Sequence, residues 1–235
     1  MEAHGLTREA QREAAAAAAT ATEPRWQAAA RRTLDLVFST ALIAVFSPLL
    51  LAVTLAIRLD SRGPALFRQR RVGLGQSEFT LFKFRSMRVD ADPRGHQEYV
   101  TALIKGQAEA ARDRDRKDLY KLAVDDRITP VGRWIRRWSI DELPQLFNVV
   151  LGDMSLVGPR PAISYEVDEY PSWYLRRFSV KPGLTGLWQV SGRNERTYEE
   201  MVRLDVEYVE RRTFWLDLSI LFRTPWTVLS RKGAA

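Results

Sequence analysis

Apolar and polar positions divide the chain into a polar, Ala-rich start, one long charge-free run and a remainder in which short apolar stretches alternate with basic and turn-forming residues. The run from Leu36 to Ile57, LVFSTALIAVFSPLLLAVTLAI, holds 22 residues without a charge. As a straight helix it would reach about 33 Å, enough for the roughly 30 Å hydrocarbon core of a bilayer. The alternative, a buried core helix, fits less well because helices of soluble proteins keep a polar stripe over such a length. A signal peptide fits less well again: the run begins only after 35 residues, is long for such a segment and lacks a small-x-small cleavage pattern. Ser47-Pro48 lies in its middle, where proline removes a backbone donor and kinks the helix while serine can serve a freed carbonyl. Both flanks are basic, with Arg25, Arg31 and Arg32 before and Arg58 and Arg62 after, so the positive-inside bias favours both ends on one side. Residues 25–60 therefore read as a kinked, re-entrant membrane helix that enters one leaflet and returns, with a single crossing as the alternative.

Around that segment the pattern predicts an α+β protein, mainly helical. Residues 1–24 form a flexible tail ending at Pro24, and residues 61–235 a compact domain expected at the cytoplasmic face. Ser61-Arg62-Gly63-Pro64 is a turn, after which LFRQRR and EFTLFKF read as the strands of a small β-hairpin joined through Gly73-Leu74-Gly75-Gln76. Residues 93–122 are a charged helical insertion. From Val131 onward helices dominate: Trp134 and Trp138 are expected on one helical face, and further helices over 163–178, 197–212 and 215–229.

Charge changes the picture. The chain has 36 Lys+Arg against 29 Asp+Glu, a formal +7, and eight basic residues against two acidic ones fall between Arg58 and Arg88. Such a cluster attracts phosphates, on nucleic acid, anionic lipid or a phosphorylated small molecule. Arginine beside Trp or Tyr recurs in RWIRRW, SWYLRRF and VERRTFW, the chemistry of a headgroup-depth surface. The adjoining apolar segment makes anionic membrane lipids the expected partner and nucleic acid not, although the same aromatic surface would serve a homodimer. No cysteine and only two histidines, His4 and His96, remove thiolate chemistry and make a Ser-His-Asp triad or multi-His zinc site improbable. What remains is carboxylate, arginine and lysine chemistry, with or without a bound metal.

Arg136-Arg137-Trp138-Ser139-Ile140-Asp141-Glu142-Leu143-Pro144-Gln145-Leu146 is the most informative stretch. Ser139-x-x-Glu142 matches a capping box, while Pro144 matches the first position of a helix. Either start places Asp141 and Glu142 at a helix entrance, where anions are favoured and backbone N–H groups face a phosphate. Neighbouring helical residues point about 100° apart, so the two carboxylates should take different partners, one attacking and one holding a metal. The plainer reading is capping by Glu142 and dipole compensation by Asp141. Arg160, in Gly158-Pro159-Arg160-Pro161, sits on a loop stiffened for a bidentate phosphate contact or for a simple turn, and Arg193 stands beside Gly192 in a second loop. Asp217 interrupts the apolar FWLDLSILF, where a lone acid is costly unless paired. Neither a Walker-type phosphate loop nor a Rossmann fingerprint occurs.

FRQRRVGLG, FKFRSMRVDAD, DDRITPVGRWIRRWSIDELPQLFNVVLGDMSLVGPRP, KPGLTGLWQVSGRN and the ending LDLSILFRTPWTVL together resemble the bacterial sugar transferases known as monotopic phosphoglycosyl transferases, or polyprenyl-phosphate hexose-1-phosphate transferases. The resemblance runs in order over residues 30–232. It implies transfer of a sugar 1-phosphate from a nucleotide-sugar donor, commonly a UDP-sugar, to a polyprenyl phosphate acceptor, with release of UMP, at the cytoplasmic face of the bacterial inner membrane. The transfer begins assembly of a lipid-linked glycan: exopolysaccharide, O-antigen or glycoprotein glycan. Ser47-Pro48 matches the family's break in its re-entrant helix and Asp141-Glu142 its catalytic dyad. Carried over residue by residue, Asp141 is the nucleophile that forms an aspartyl phosphosugar, and Glu142, with Asp141, binds Mg²⁺. Arg136, Arg160 and Arg193 are phosphate or nucleotide contacts; Lys83 is a further such contact and Asp217 a supporting residue. Two departures stand out: residues 93–122 are longer than in the smallest members, and the transmembrane bundle of larger members has no counterpart, as expected of a minimal catalytic form.

Overall fold

A computed structural model of the chain describes residues 24–89, 94–104, 127–192 and 196–229. The charge-free run folds as the greater part of one helix, α1 (Arg25–Asp60), preceded by Pro24 and closed where Ser61 turns extended. Pro48 lies inside it. Its missing N–H would have bonded the carbonyl of Ala44, and Ser47 Oγ donates to that carbonyl instead, at 2.8 Å. Along one face Arg31, Asp35, Ser39, Val53 and Ile57 are buried. Leu42, Ile43, Leu49 and Leu50 pack between them at helical spacing. Val37, Phe38, Val45, Leu51, Leu55 and Leu59 are exposed. Only 11% of the helix's most apolar 18-residue window is buried, which separates it from the core helix of a soluble protein.

Strands β1 (Leu66–Val72) and β2 (Glu78–Phe84) form the expected antiparallel hairpin, with a 3₁₀ turn over Leu74–Gln76 at the tip. After helix α2 (Arg94–Ile104), whose Val100, Leu103 and Ile104 are buried, comes α3 (Pro130–Arg137). Its start is fixed by Pro130 at the first turn and by the Thr129 hydroxyl, which accepts from the Gly132 amide at 3.0 Å. Gly132 lies against the backbone of Ser86, where an added Cβ would stand 2.0 Å from the Ser86 carbonyl oxygen. Helix α4 (Gln145–Leu151) ends at Gly152, whose φ of 93° suits a residue without a side chain.

Short parallel strands β3 (Ser155–Val157) and β4 (Gly183–Thr185) follow, separated by α5 (Ser164–Val167) and a 3₁₀ segment over Ser172–Ser179. Three further helices complete the described chain: α6 (Leu187–Val190), α7 (Tyr198–Arg211) and α8 (Phe214–Leu229). The main core joins Leu81 of β2, Leu146 and Val149 of α4, Met154, Leu156 of β3, Tyr208 of α7 and Ile220 of α8, with Leu42 and Ile43 of α1 against it. Asn148 binds α4 to the edge of β2. Fully buried, it accepts from the Phe82 amide at 2.9 Å and donates to the Thr80 carbonyl at 2.7 Å, imitating a neighbouring strand.

Several expectations change. The helix expected over 163–178 is split, α5 stopping after Val167 and a 3₁₀ segment starting beyond Pro171, because proline cannot continue the earlier hydrogen-bond ladder. Trp138 lies past the end of α3 rather than on a face shared with Trp134. The β3–β4 pair was not foreseen, since three-residue strands carry no readable alternation. The tail lies outside the described residues except for Pro24; so does the insertion, apart from Arg94–Ile104, which is helical as expected.

Candidate active site

The hairpin, α3 and α4 converge on Asp141 and Glu142. Between α3 and α4 the chain turns sharply: Ser139 adopts φ 54°, in the left-handed region that non-glycine residues seldom enter, and Ile140–Glu142 form a single 3₁₀ turn. The capping box does not form, because Ser139 makes no side-chain cap bond. Pro144 directly precedes α4, which begins at Gln145. The dyad therefore lies one short turn ahead of α4, and its two side chains diverge in burial: the Asp141 side chain is 5% exposed and that of Glu142 42%. They share a partner instead of taking separate ones. Lys83 Nζ of β2 stands 2.9 Å from Asp141 Oδ2 and 3.6 Å from Glu142 Oε1.

Burial raises the Asp141 carboxyl above its ordinary value; Lys83 pulls it down, Glu142 pushes it up and Arg136 pulls it down again. Arg136, half-buried near the end of α3, is close enough to act on Asp141. Lys83, expected to meet a phosphate, is engaged by the two carboxylates.

The loop 158–161 is held on every side. The backbones of Gly158 and Gly183 approach so closely that a Cβ on Gly183 would stand 2.0 Å from the Gly158 nitrogen. Gly158 donates to the Thr185 carbonyl and Gly183 to that of Pro159, each at 2.9 Å. The Arg160 carbonyl accepts from Arg177 at 2.9 Å, and the Arg160 amide donates to Asp205. Arg177 and Asp205 form a buried ion pair beside Glu166, Tyr170 and Tyr198. Burial alone would lower the Arg160 guanidinium, but Glu166, Tyr198 and Tyr170 outweigh it and hold it above its ordinary value.

Arg71 of β1 stands between this loop and the dyad. It donates to the Pro161 carbonyl at 2.9 Å and to Gln69 Oε1 at 2.8 Å. Burial first, and then the like charge of Arg160, lower its guanidinium to about 10, while Glu166, Tyr165 and Glu142 act in the opposite direction.

Other expected residues lie elsewhere. Asp217 is buried within α8, where Arg31 of α1 and Tyr208 of α7 both bond it, Tyr208 at 2.7 Å. It ties α1 to the rest of the domain and shares no described contact with the dyad. Ser47 and Pro48 belong to α1 alone. Arg193 falls outside the described residues. Residues passed over in the sequence are Arg71, Arg177, Asp205, Glu166 and Asn148. Two of them left a signal there: Arg71 in the basic cluster of FRQRR and Arg177 in SWYLRRF, where each carried charge but no such role.

Among the described residues no group of three or more metal-ligating side chains comes together. A metal at the dyad would have the half-exposed Glu142 carboxylate and, beside it, Asp141. That set suits an ion such as Mg²⁺, which takes one or two carboxylates and fills its shell with water and substrate phosphates, better than one needing an all-protein cage.

A family model described as "Bacterial sugar transferase" matches residues 26–231. The chain is 45% identical over 204 residues to the undecaprenyl-phosphate galactose phosphotransferase of Salmonella typhimurium, covering 87% of this chain and 41% of that protein. It is 41% identical over 212 residues to the UDP-glucose:undecaprenyl-phosphate glucose-1-phosphate transferase of Caulobacter vibrioides, covering 87% of this chain and 71% of the relative. With the exopolysaccharide production protein ExoY of Rhizobium meliloti the identity is 37% over 203 residues, 86% and 87% of the two chains. The chain thus spans 41% of the Salmonella relative but most of the Rhizobium one. The match takes in the membrane-length helix, the hairpin, the dyad and the loop around Arg160, and on that extent the chain belongs to the bacterial sugar transferase family.

Proposed function

We propose that this chain transfers a sugar 1-phosphate from a UDP-sugar to undecaprenyl or another polyprenyl phosphate through a covalent aspartyl phosphosugar. The observation that carries the reading is Asp141: a buried carboxylate held by one lysine at 2.9 Å, with a second carboxylate and an arginine at its side. A buried carboxylate with a raised pKa is a more basic nucleophile than a solvated one, and Lys83 keeps it ionised and aimed. The names of the relatives from Salmonella and Caulobacter, which specify undecaprenyl phosphate and, in the second, UDP-glucose, support the choice of substrates.

In the first step an Asp141 oxygen attacks the sugar-bearing phosphorus; the bond from that phosphorus to the bridging oxygen breaks and UMP departs with the electron pair. In the second step an oxygen of the polyprenyl phosphate attacks the same phosphorus and the Asp141 carboxylate leaves. Arg136 and Arg160 offset charge on the phosphates as it moves. Mg²⁺, when bound at Glu142 and Asp141, would supply further neutralisation of the diphosphate. Division into two steps allows a soluble donor and a membrane-held acceptor to use one site in turn.

The same reading places α1 as a re-entrant helix, with both ends at the cytoplasmic face of the bacterial inner membrane. What supports this is that polar residues at both ends bond the same domain. Arg31 reaches Asp217 and Arg32 reaches the Val149 and Val150 carbonyls at 2.7 and 2.9 Å, while near the other end Asp60 accepts from the Val131 amide at 3.2 Å. A straight crossing would carry one of those ends across the hydrocarbon. The exposed Trp134, Trp215 and Trp226 suit contact with headgroups of anionic lipids.

The test is to incubate purified protein in lipid nanodiscs with Mg²⁺ and a panel of sugar-labelled UDP-sugars, without polyprenyl phosphate. Label attached to wild type and absent from Asp141→Asn is expected. UMP release that requires the acceptor lipid would replace the two-step scheme with direct transfer, in which the dyad only binds metal. Cysteines at positions 27 and 62 should both react with a reagent applied from the cytoplasmic side, and labelling from opposite sides would establish a crossing helix.

A further inference from the structure

Two lysines lie among the described residues, and they are placed oppositely. Lys83 is bound by both carboxylates of the dyad. Lys181, partly exposed just ahead of β4, makes no hydrogen bond and no ion pair with any described residue. Other cations approach it at the end of α4. A Cβ on Gly152 would stand 3.5 Å from Arg32 Nη2 and 3.6 Å from Lys181 Nζ, so the two cations lie within about 7 Å of each other, near enough to repel. Burial and then Arg32 lower the Lys181 ammonium below its ordinary value; Asp35 and Asp153 raise it, and Arg212 lowers it again. Neither acid closes on Lys181. Asp35 accepts from the Ser155 hydroxyl at 3.0 Å and the Leu156 amide at 2.8 Å, and Asp153 from Asn148 at 3.2 Å.

The place of this cluster narrows the anion it suits. Arg32 donates to the Val149 and Val150 carbonyls, so the cluster marks the end of α4, whereas the dyad lies ahead of its start. The helix between them is about 10 Å long, too far for one phosphate to meet both. Arg32 stands instead about one helical turn before Leu36, where the charge-free run of α1 begins. Exposed apolar side chains border that level: Leu36 and Val37 on α1, Leu151 next to Gly152, and Trp215, whose neighbour Phe214 donates its amide to Gln27 of α1 at 3.2 Å. A soluble phosphate gains nothing from such a rim, while a phospholipid sets its phosphate on the cations and its chains on the apolar residues.

We propose that Lys181, Arg32 and Arg212 hold the phosphate of one anionic phospholipid where α1 enters the bilayer. A phosphate that accepts at about 2.8 Å from donors on either side bridges cations spaced as Lys181 and Arg32 are, and it removes the repulsion between them. Each Nη of Arg32 carries a second hydrogen beyond the one given to a carbonyl, so the guanidinium serves α4 and the lipid together. The site belongs neither to the donor nor to the acceptor of the transfer, and it rests on the reading of α1 as a helix embedded in the bilayer. A lipid held there ties the start of α1, through Arg32, to the loop before β4, through Lys181.

The experiment compares wild type, Lys181→Gln and Lys181→Arg in nanodiscs of equal parts phosphatidylglycerol and phosphatidylcholine, counting by native mass spectrometry the lipids that stay on the protein after release. Wild type should retain one phosphatidylglycerol in preference to phosphatidylcholine. Lys181→Gln should lower that preference about fivefold, and Lys181→Arg should restore it. Arg203→Gln, which removes an equal charge from the exposed side of α7, should change nothing. Equal retention of the two lipids by wild type, or equal losses in Lys181→Gln and Arg203→Gln, would overturn the site in favour of a general attraction between a basic chain and anionic lipid. Displacement of the lipid by inorganic phosphate or UMP would overturn it in favour of a soluble anion. Because Lys181 has no partner in the protein, Lys181→Gln in nanodiscs of phosphatidylcholine alone should denature at the wild-type midpoint or above, and a lowered midpoint would give Lys181 a structural role instead. Loss of the chain from the nanodiscs altogether would count against the bilayer position of α1, a result distinct from a chain that stays without choosing between the lipids.

Discussion

Asp141 and Asp217 are both aspartates 2–3% exposed, both drawn from the sequence as candidates, and they have opposite surroundings. Asp217 has both oxygens occupied, one by Arg31 and one by Tyr208, joining three helices that are distant in the chain. Asp141 has one described partner, Lys83, which it shares with a second carboxylate, and Arg136 nearby. A saturated buried ion pair holds elements together, because removing either member strands the other in low dielectric. An undersupplied one keeps an oxygen available for chemistry. Burial alone therefore does not separate a structural acid from a reactive one; the number of donors around it does.

Removing one charge from each aspartate separates the two roles. Asp141→Asn should lower UMP release from a UDP-sugar by roughly a thousandfold or more while leaving stability to chemical denaturation within about 1 kcal/mol of wild type. Asp217→Asn should cost about 3–5 kcal/mol of stability and leave turnover per folded molecule near normal. Denaturation and turnover measured on both variants decide it, and loss of turnover in well-folded Asp217→Asn would place that residue in the chemistry.

Lys83→Met comes next. With the shared cation gone the Asp141 carboxyl rises further, so the acid limb of the pH–rate profile should move to higher pH, with turnover at neutral pH down by about ten- to a hundredfold. A profile that does not move would mean that Lys83 serves the substrate alone. Gly132→Ala pushes a methyl group against the Ser86 carbonyl and should cost about 1–3 kcal/mol, displacing α3 and with it Arg136. The signature is a raised KM for the donor beside the lowered midpoint. The smallest effect is expected at Ser47→Ala, which leaves the Ala44 carbonyl without a donor and should cost about 1 kcal/mol, read from denaturation in nanodiscs.

The features legible in the sequence are those set by neighbouring residues. Twenty-two uncharged residues suffice to mark α1, the Gly-rich tip marks the hairpin between two β-rich runs, and the Ser-Pro step names both the missing donor and its replacement. Asp141 and Glu142 are legible as adjacent carboxylates at a helix entrance, and only the resemblance singles them out as a dyad, while their local shape is not legible at all. The left-handed Ser139 that replaces the expected capping box depends on how α3 and α4 are anchored, through Gly132 on Ser86 and Asn148 on β2. β3 and β4 escaped notice because three residues are too few to show a period.

Residue order alone specifies a basic chain without cysteine, a membrane-length helix with polar joints, and a carboxylate pair in a setting rich in arginine. Which charges meet depends on the packing of the folded chain. Arg31 reaches across 186 residues to silence Asp217, Lys83 is carried by β2 to the dyad, and Arg71 is set beside Arg160 through a bond to Pro161 spanning 90 residues. Such meetings leave no local trace, because a charge shows its own sign in the sequence, while its partner, its solvation and hence its chemistry are properties of the folded packing.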